Sequence, residues 1–197
     1  MHKKDKILNV FNSNLEIAIK GFSELNNHEL KNNISKACEY IIAAFKSKKK
    51  LLICGNGGSA ADAQHICAEF VSKFLKVRVP LPAISLTTNT SNLTSIGNDF
   101  SYNAIFSKQI EAIGNKGDIL LAISTSGKSK NVINAINVAN RKKMKVIILT
   151  SYKAPKFGRN NLVIRSPGER VDRIQEHHIF ISHNICEIVE SFFYKNK

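Results

Sequence analysis

A histidine and a carboxylate stand four residues apart in the first half of the chain. At this spacing His65 and Glu69 share one face of a helix. An imidazole and a carboxylate so placed serve either as two ligands of one metal ion or as an acid–base pair. A surface hydrogen bond is the structural alternative, so the pair indicates chemistry only where other groups converge on it.

Further polar side chains gather near the C terminus. They are Asp172, Gln175, Glu176, His177, His178 and His183. In a straight helix Gln175 and His183 lie about 12 Å apart along the axis and about 80° apart around it. Both can bind one metal ion only if the helix bends or if subunits share the site. His177 and His178 are adjacent and face different sides, so at most one can point into the same site, and we expect structural or peripheral roles for both.

Two loops have the composition of anion-binding turns. The first, Gly55–Ser59, follows a short apolar run and opens a helical stretch, so flexible backbone amides meet a helix N-terminus. It is neither a Walker A loop nor a dinucleotide fingerprint. The second, Ser124–Ser129, places four hydroxyls at another helix start, with Ser129 as the expected N-cap. Together the loops indicate a phosphorylated small molecule; tight turns and hydroxyl capping are the structural alternative.

Apolar periodicity predicts an α/β protein around these residues. Helices are expected at residues 7–22, 29–46, 59–74, 102–113, 129–141 and 171–194, and strands at residues 51–54, 83–86, 119–124, 146–149 and 162–164. The alternation is typical of a parallel sheet with helices on both faces, and ligands bind such sheets beyond the carboxyl ends of the strands. We divide the chain into an N-terminal helical extension, residues 1–47, and a sheet domain, residues 48–197.

Composition fits one globular domain and limits its partners. The chain has 197 residues, of which 43% are hydrophobic and 22% charged, enough to bury a sizeable core. Its net charge of +14 could favour nucleic acid, an anionic membrane or anionic substrates. The lysines are scattered and no nucleic-acid-binding motif accompanies them, so we expect no nucleic-acid partner.

Cysteine spacing and hydropathy indicate the compartment. The four cysteines form no C-x-x-C pair and are expected to be buried, reduced thiols. No apolar run reaches the roughly 18 residues that span a bilayer. We therefore expect a cytoplasmic protein that does not associate with membranes.

Several separated motifs occur in an order known from one family. They are Cys54–His65 with Glu69, Leu86–Thr88, Ile96–Asp99, Ala122–Ser129, and Arg173–Ile179 with His183. In these motifs, over residues 48–191, the chain resembles the sugar isomerase (SIS) domain and, within it, the bacterial phosphoheptose isomerases. The resemblance implies a single SIS domain with a five-stranded parallel sheet between helices. It also implies two N-terminal helices that help to build a homotetramer with active sites between subunits.

The resemblance also implies a set of site residues. Substrate would contact Asn56, Gly57, Gly58, Ser59, Glu69, Asn98, Asp99, Ser124, Thr125, Ser126, Ser129, Asp172 and Gln175. One zinc ion per subunit would be held by His65, Glu69, Gln175 and His183. Glu69 would abstract the substrate proton, and His183 would act on the oxygen or return the proton. Because one carboxylate cannot use the same lone pairs as ligand and as free base, the role of zinc stays open between catalytic and structural.

The implied reaction is an aldose–ketose isomerisation. Sedoheptulose 7-phosphate would become glycero-manno-heptose 7-phosphate through an enediol, the first step of nucleotide-activated heptose synthesis for lipopolysaccharide core or capsule. The nearest alternative is an isomerase of another sugar phosphate, because a phosphate-binding loop does not determine the length of the sugar. Residues 150–158 depart from the glycine-rich loop expected after Leu149; they could meet a differently decorated substrate or a neighbouring subunit.

Two functions other than this reaction remain as alternatives. One branch of the family is a non-catalytic tetrameric adaptor for the bacterial replication initiator. That branch lacks the pair that this chain retains in Glu69 and His183. A sugar-phosphate-binding regulatory domain is the other, and the short N-terminal helices leave little room for the DNA-binding module that usually accompanies it.

Overall fold

Helices and strands alternate through most of the chain in a computed structural model that describes residues 3–194. The α-helices are α1 (Lys3–Glu24), α2 (His28–Lys46), α3 (Gly58–Val71), α4 (Thr90–Asp99), α5 (Ser107–Ile113), α6 (Lys130–Arg141) and α7 (Val171–Ser191). The strands are β1 (Leu51–Cys54), β2 (Ala83–Ser85), β3 (Ile119–Ile123), β4 (Lys145–Ser151) and β5 (Asn161–Ser166), and a 3₁₀ turn covers Tyr102–Ala104. The expected α/β architecture is confirmed.

The five strands form one parallel sheet in the order β2-β1-β3-β4-β5. Strands β1 and β3 are neighbours, and Cys54 at the end of β1 pairs with Ala122 near the end of β3. The loops that follow these two strands therefore leave the same edge of the sheet side by side. This adjacency brings the two predicted anion-binding loops together.

Side chains alternate between two apolar layers, one on each face of the sheet. Leu51, Ile53 and Leu121 pack with α2, α3 and α7, while Leu52 and Leu120 pack with α5 and α6. Strands buried on both faces carry continuous apolar runs instead of alternating ones, as these do. The prediction that helices cover both faces is confirmed.

One expectation about local structure is wrong, and one helix was not predicted. The single helix predicted over residues 102–113 is a 3₁₀ turn followed by α5. The side-chain amide of Gln109 donates to the carbonyl of Ile105 at 2.8 Å, so a side chain takes the acceptor that a continuous helix would use. Helix α4 was not predicted, because its polar sequence packs only Leu93 and Ile96 against the core. Its start is capped by Asn89, which accepts from the backbone N–H of Asn92.

Helix α1 contacts the rest of the chain mainly through its last turns. Gly21 lies against the ring of His177, and the ring of Phe22 meets those of His177 and Phe180 at 5.1 and 5.3 Å. Along the earlier turns the large apolar side chains are exposed: Ile7, Leu8, Val10, Phe11, Leu15, Ile17 and Ile19. Within residues 3–194, this helix therefore has an apolar surface that no other element covers.

Three of the four cysteines are buried, as expected. All four cysteines are free thiols; Cys38, Cys54 and Cys186 are buried, whereas Cys67 is only half-buried. Burial raises the pKa of the Cys38 thiol to about 11 and that of Cys54 to about 12. No helix among residues 3–194 is both long and apolar enough to cross a bilayer.

Candidate active site

Helices α3 and α7 run side by side in the same direction, and this pairing assembles the predicted acid–base residues. At the start of α3, Gly58 lies against the side-chain amide of Gln175. Further along, His65 faces His183. The two pairs are separated by 117 and 118 positions in the sequence, as expected for helices in parallel register. The pairing makes one surface of residues that are distant in the sequence.

Three side chains on this surface form one cluster. The Nε2 atoms of His65 and His183 lie 3.3 Å apart, and Nε2 of His65 lies 3.1 Å from Oε1 of Glu69. The side chains of His65 and Glu69 are 48% and 20% exposed, so the cluster is open to solvent and to a substrate. It contains one carboxylate and two imidazoles, the groups that general acid–base chemistry uses most often.

The same three residues could supply three ligands of a zinc ion. One donor atom from each of His65, Glu69 and His183 lies within 4.8 Å of the other two. Two ligands of one tetrahedral zinc ion lie about 3.3 Å apart, close to the two shorter distances in the cluster. The fourth predicted ligand, Gln175, lies against Gly58, about 10 Å along α3 from His65. Among the described residues, it makes no hydrogen bond to the cluster.

The loop after β1 is tied to the rest of the site by Asn56. Asn56 and Asn131 exchange two amide hydrogen bonds of 2.9 and 2.8 Å, and the Tyr102 hydroxyl donates to Oδ1 of Asn56. Gly57 has a φ of 56°, a conformation that glycine adopts without strain. Within the described chain, the backbone N–H groups of Asn56 and Gly57 have no acceptor, which suits an anionic or hydroxylated ligand.

The loop after β3 presents hydroxyls and further free amides. The Ser124 hydroxyl lies 3.4 Å from that of Ser129, and Thr150 Oγ1 donates to the Ser124 carbonyl at 2.6 Å. In residues 3–194, no acceptor is found for the backbone N–H groups of Thr125 and Ser126. Ser129 is the N-cap residue of α6 as predicted, but its side chain makes no capping hydrogen bond. Its hydroxyl is thus free of a capping role.

Sequence comparison establishes the family. A family model of the SIS domain matches residues 18–151. The phosphoheptose isomerase of Clostridium acetobutylicum is 50% identical over 171 residues, which cover 83% of this chain and 84% of that protein. The chain belongs to the phosphoheptose isomerase family of SIS-domain proteins.

Solved structures of this family have the same architecture. A phosphoheptose isomerase from Francisella tularensis superposes with a TM-score of 0.87 at 35% identity, covering 97% of this chain and 100% of that one. The phosphoheptose isomerase of Neisseria gonorrhoeae gives a TM-score of 0.82 at 36% identity, covering 96% and 100%. The chain is accordingly an enzyme of the aldose–ketose isomerase class, acting on a sugar phosphate.

Some residues expected from the phosphoheptose isomerase family remain apart from the cluster in one chain. Asn98 and Asp99 are exposed at the end of α4 and hydrogen-bond to each other. Asp172 is paired with Arg170 and Arg173, and the hydrogen bond from Arg170 lowers the pKa of its carboxyl. Ser59 is buried at the start of α3. The single chain therefore supplies the two loops and the cluster, while the other side of the site stays open.

Sequence reasoning missed several residues of this phosphoheptose isomerase site. Asn131 and Tyr102 hold Asn56, and no pattern pointed to either. Asp62 stands one turn before His65 on α3, with Oδ2 buried and without a hydrogen bond among the described residues. Burial raises the pKa of the Asp62 carboxyl to about 6. Its spacing of three residues from His65 was a signal that could have been used.

The two adjacent histidines of α7 lie away from the cluster. Both His177 and His178 are 0% exposed. Nδ1 of His177 lies 3.0 Å from the carbonyl of Pro167, and its ring contacts α1 at Gly21. These positions agree with the structural or peripheral roles expected for both.

The loop that departs from the phosphoheptose isomerase pattern packs on the second anion-binding loop. Side chains of Ala154, Pro155 and Phe157 surround Gly127 so closely that a Cβ there would lie 2.8–3.2 Å from their atoms. Gly127 also has a φ of 64°, so glycine is required for two reasons. Within the chain, the departing loop thus forms a wall behind residues 124–129.

Proposed function

We propose that this enzyme interconverts sedoheptulose 7-phosphate and glycero-manno-heptose 7-phosphate through an enediol. The observation that carries the proposal is the position of Glu69 and His183 in one cluster on α3 and α7, together with two loops that have free backbone N–H groups, the first of which leads into α3. The relatives named phosphoheptose isomerase support the seven-carbon substrate. The product would enter nucleotide-activated heptose synthesis for lipopolysaccharide core or capsule.

In this mechanism the two loops hold the phosphate and the sugar hydroxyls. The free N–H groups of Thr125 and Ser126, with the hydroxyls of this loop, donate to the phosphate oxygens. Asn56, Gly57 and Gly58 would contact the sugar from the first loop. These contacts place carbons 1 and 2 of the sugar at the cluster, where a proton must move between them.

Glu69 and His183 would move the protons. Glu69 is our candidate base for the proton on carbon 1 or 2, and His183 would transfer the proton between the two oxygens or return it to carbon. His65 contacts both side chains and fixes their relative orientation. No other acid–base pair is required, because both half-reactions pass through the same enediol.

Proton exchange tests this assignment. Wild-type protein with sedoheptulose 7-phosphate in deuterated water should exchange the carbon 1 and carbon 2 protons at the rate of turnover, observed by NMR. Glu69→Gln and His183→Gln should each lower kcat by about 10²- to 10⁴-fold, the usual contribution of a general acid or base. Serine-loop variant Ser126→Ala is the matched control, and it should raise KM more than it lowers kcat.

Failure of that experiment has a clear meaning. If the folded wild-type protein neither turns over the sugar nor exchanges its protons, the seven-carbon assignment is wrong. Screening five- and six-carbon sugar phosphates by the same exchange would then identify the substrate. If none exchanges, the non-catalytic adaptor becomes the better hypothesis. Partner binding would then be the next measurement.

We also propose a zinc ion at the cluster. His65, Glu69 and His183 would hold it, with Gln175 of a neighbouring subunit as the fourth ligand, because Gln175 of the same chain lies about 10 Å along the helix from His65. When bound, zinc would either act as a Lewis acid towards a sugar oxygen or hold the cluster together structurally, and the lone pairs of Glu69 that bind it would not be those that accept the substrate proton. We expect one zinc per chain by elemental analysis, and a chelator should lower both activity and the thermal unfolding midpoint. A metal-free protein with unchanged unfolding midpoint and full activity would refute the site.

A homotetramer with active sites at its subunit interfaces completes the proposal. The exposed apolar surface of α1 and the open side of the site near Asp99 and Asp172 support it. A second subunit would cover both. The free cysteines fit a reducing compartment, and we propose the cytoplasm.

A further inference from the structure

A buried ion pair lies at the end of α3. It is not part of either substrate-binding loop. Nε of Arg78 is 3.3 Å from Oε1 of Glu190, and the two side chains are 0% and 2% exposed. Arg78 belongs to the segment of residues 72–82 between α3 and β2, and Glu190 to the last turn of α7. We call the two residues the Arg78–Glu190 clamp.

The clamp holds the segment that follows α3 by its backbone. The Glu190 carboxylate accepts from the N–H groups of Phe74, Leu75 and Lys76 at 3.0, 2.8 and 3.0 Å. These bonds join residues 74–76 to α7. One carboxylate thus fixes three consecutive residues of an otherwise irregular segment.

The first connection from the clamp leads to Glu69. Nη2 of Arg78 donates to the Glu69 carbonyl at 2.6 Å, and Nη1 donates to the carbonyls of Phe70 and Ser72. These carbonyls are at the end of α3, where the helix leaves its last acceptors unsatisfied. The guanidinium therefore fixes the backbone of the residue that carries the proposed base.

The second connection leads to His183. The ring of Phe74 stacks on the His183 imidazole, with centroids 5.5 Å apart and an interplanar angle of 28°. The N–H of Phe74 is one of the three held by Glu190. His183 and Glu190 are seven residues apart on α7 and so lie on the same helix face. The clamp and Phe74 together limit how the imidazole can turn.

We propose that Arg78, Glu190 and Phe74 are positioning residues that set the geometry between Glu69 and His183. The proposal rests on the function proposed above, because it assigns these three residues to its acid–base pair. A buried ion pair adds little net stability compared with apolar residues of the same volume, but its fixed hydrogen bonds can specify one conformation. Here the specified conformation positions Glu69 and His183, the two groups that must face one another across the substrate.

A second ion pair with a buried carboxylate provides a matched control. Asp118 is 2% exposed and lies 2.6 Å from Nζ of Lys50. Like Glu190, it accepts from backbone N–H groups, those of Lys50 and Asn115. It lies at the amino end of the sheet, before β3, whereas the cluster lies on the paired helices. A general loss of stability should therefore be similar in Glu190→Gln and Asp118→Asn.

The test compares kinetics with the state of the His183 ring. We expect Glu190→Gln and Phe74→Leu to lower kcat by about 10- to 100-fold, the effect of a small misplacement of reacting groups, with KM nearly unchanged. Phe45 on α2 is a core residue whose ring packs edge-on against other aromatic rings. Asp118→Asn and Phe45→Leu should keep the wild-type kcat. In protein labelled with ¹³C-histidine, the His183 signal, assigned from His183→Gln, should lose its ring-current shift in Phe74→Leu and move in Glu190→Gln.

The outcomes separate this proposal from the proposed function. An unmoved His183 signal and an unchanged kcat in both variants would refute the positioning role. A moved signal in a protein whose wild type exchanges no sugar protons would uphold the coupling and reject the reaction. Equal losses of kcat in Glu190→Gln and Asp118→Asn would show a purely structural role. If Glu190→Gln does not fold, Phe74→Leu decides alone, because it removes the stacking and keeps the ion pair.

Discussion

His178 is a buried histidine that the folded protein holds in its neutral form. It is 0% exposed on α7, and neither ring nitrogen makes a hydrogen bond of good geometry among the described residues. Burial lowers the pKa of His178 to about 4, partly offset by the nearby backbone of Thr150. A charge on this ring would have no compensating partner beside the sheet.

The stability of the protein should therefore decrease as the pH falls from about 6.5 to about 4. In this window the unfolded chain binds a proton at residue 178 that the folded chain does not, which costs about 1.4 kcal/mol per pH unit. His178→Leu should remove this part of the slope, measured by urea unfolding at pH 7, 6 and 5. His28→Leu, a change at an exposed histidine, is the control. An unchanged slope in His178→Leu would show that this ring is not the source.

At the scale of single elements, α1 is the helix that leaves the most large apolar side chains exposed. Its buried residue is Gly21, and its apolar side chains face outwards over most of its length. A 22-residue helix with an apolar surface in water is stabilised chiefly by packing against a partner. A second copy of α1 in a homotetramer would provide one.

Charges placed on this surface should dissociate the proposed homotetramer. We expect Ile7→Glu combined with Phe11→Glu to shift the protein to a smaller species in sedimentation velocity. Each buried apolar side chain contributes about 1.5–3 kcal/mol, and glutamate keeps the helix propensity. Ile113→Glu, at the end of α5, is the control and should leave the mass unchanged. A double variant with the wild-type mass would place the subunit interface elsewhere.

At the scale of the whole molecule, the net charge of +14 acts on any dianionic substrate. Positive potential around a site raises the rate at which an anion arrives, and salt screens it beyond roughly 10 Å. The free N–H groups of the two loops then act at short range, where salt has less effect. The charge and the loops therefore influence different steps.

Ionic strength should change the rate of substrate binding and leave the rate of the chemical step unchanged. We expect kcat/KM for the sugar phosphate to fall about two- to fivefold between low and physiological salt, while kcat at saturation stays constant. Initial rates across a series of potassium chloride concentrations measure both. A constant kcat/KM would show that the lysines do not act together on the substrate.

The amino-acid sequence by itself determined the class of fold and the position of the two loops. Short apolar runs such as Leu51–Cys54 predict strands buried on both faces, and the loops follow at their carboxyl ends, because these patterns are local. The spacing of His65 and Glu69 likewise predicted a shared helix face. The break before Ser107 and helix α4 escaped prediction, since a side-chain hydrogen bond and a polar helix leave no periodic signal.

Only the tertiary structure decided which distant residues meet. His183 lies beside His65 although 118 positions separate them, and Glu190 holds the backbone near Phe74 across 116 positions. Periodicity states which face of a helix is buried, but not which helix covers it. That choice depends on the packing of all elements on the sheet at once. The acid–base cluster and the clamp behind it both result from the pairing of α3 with α7.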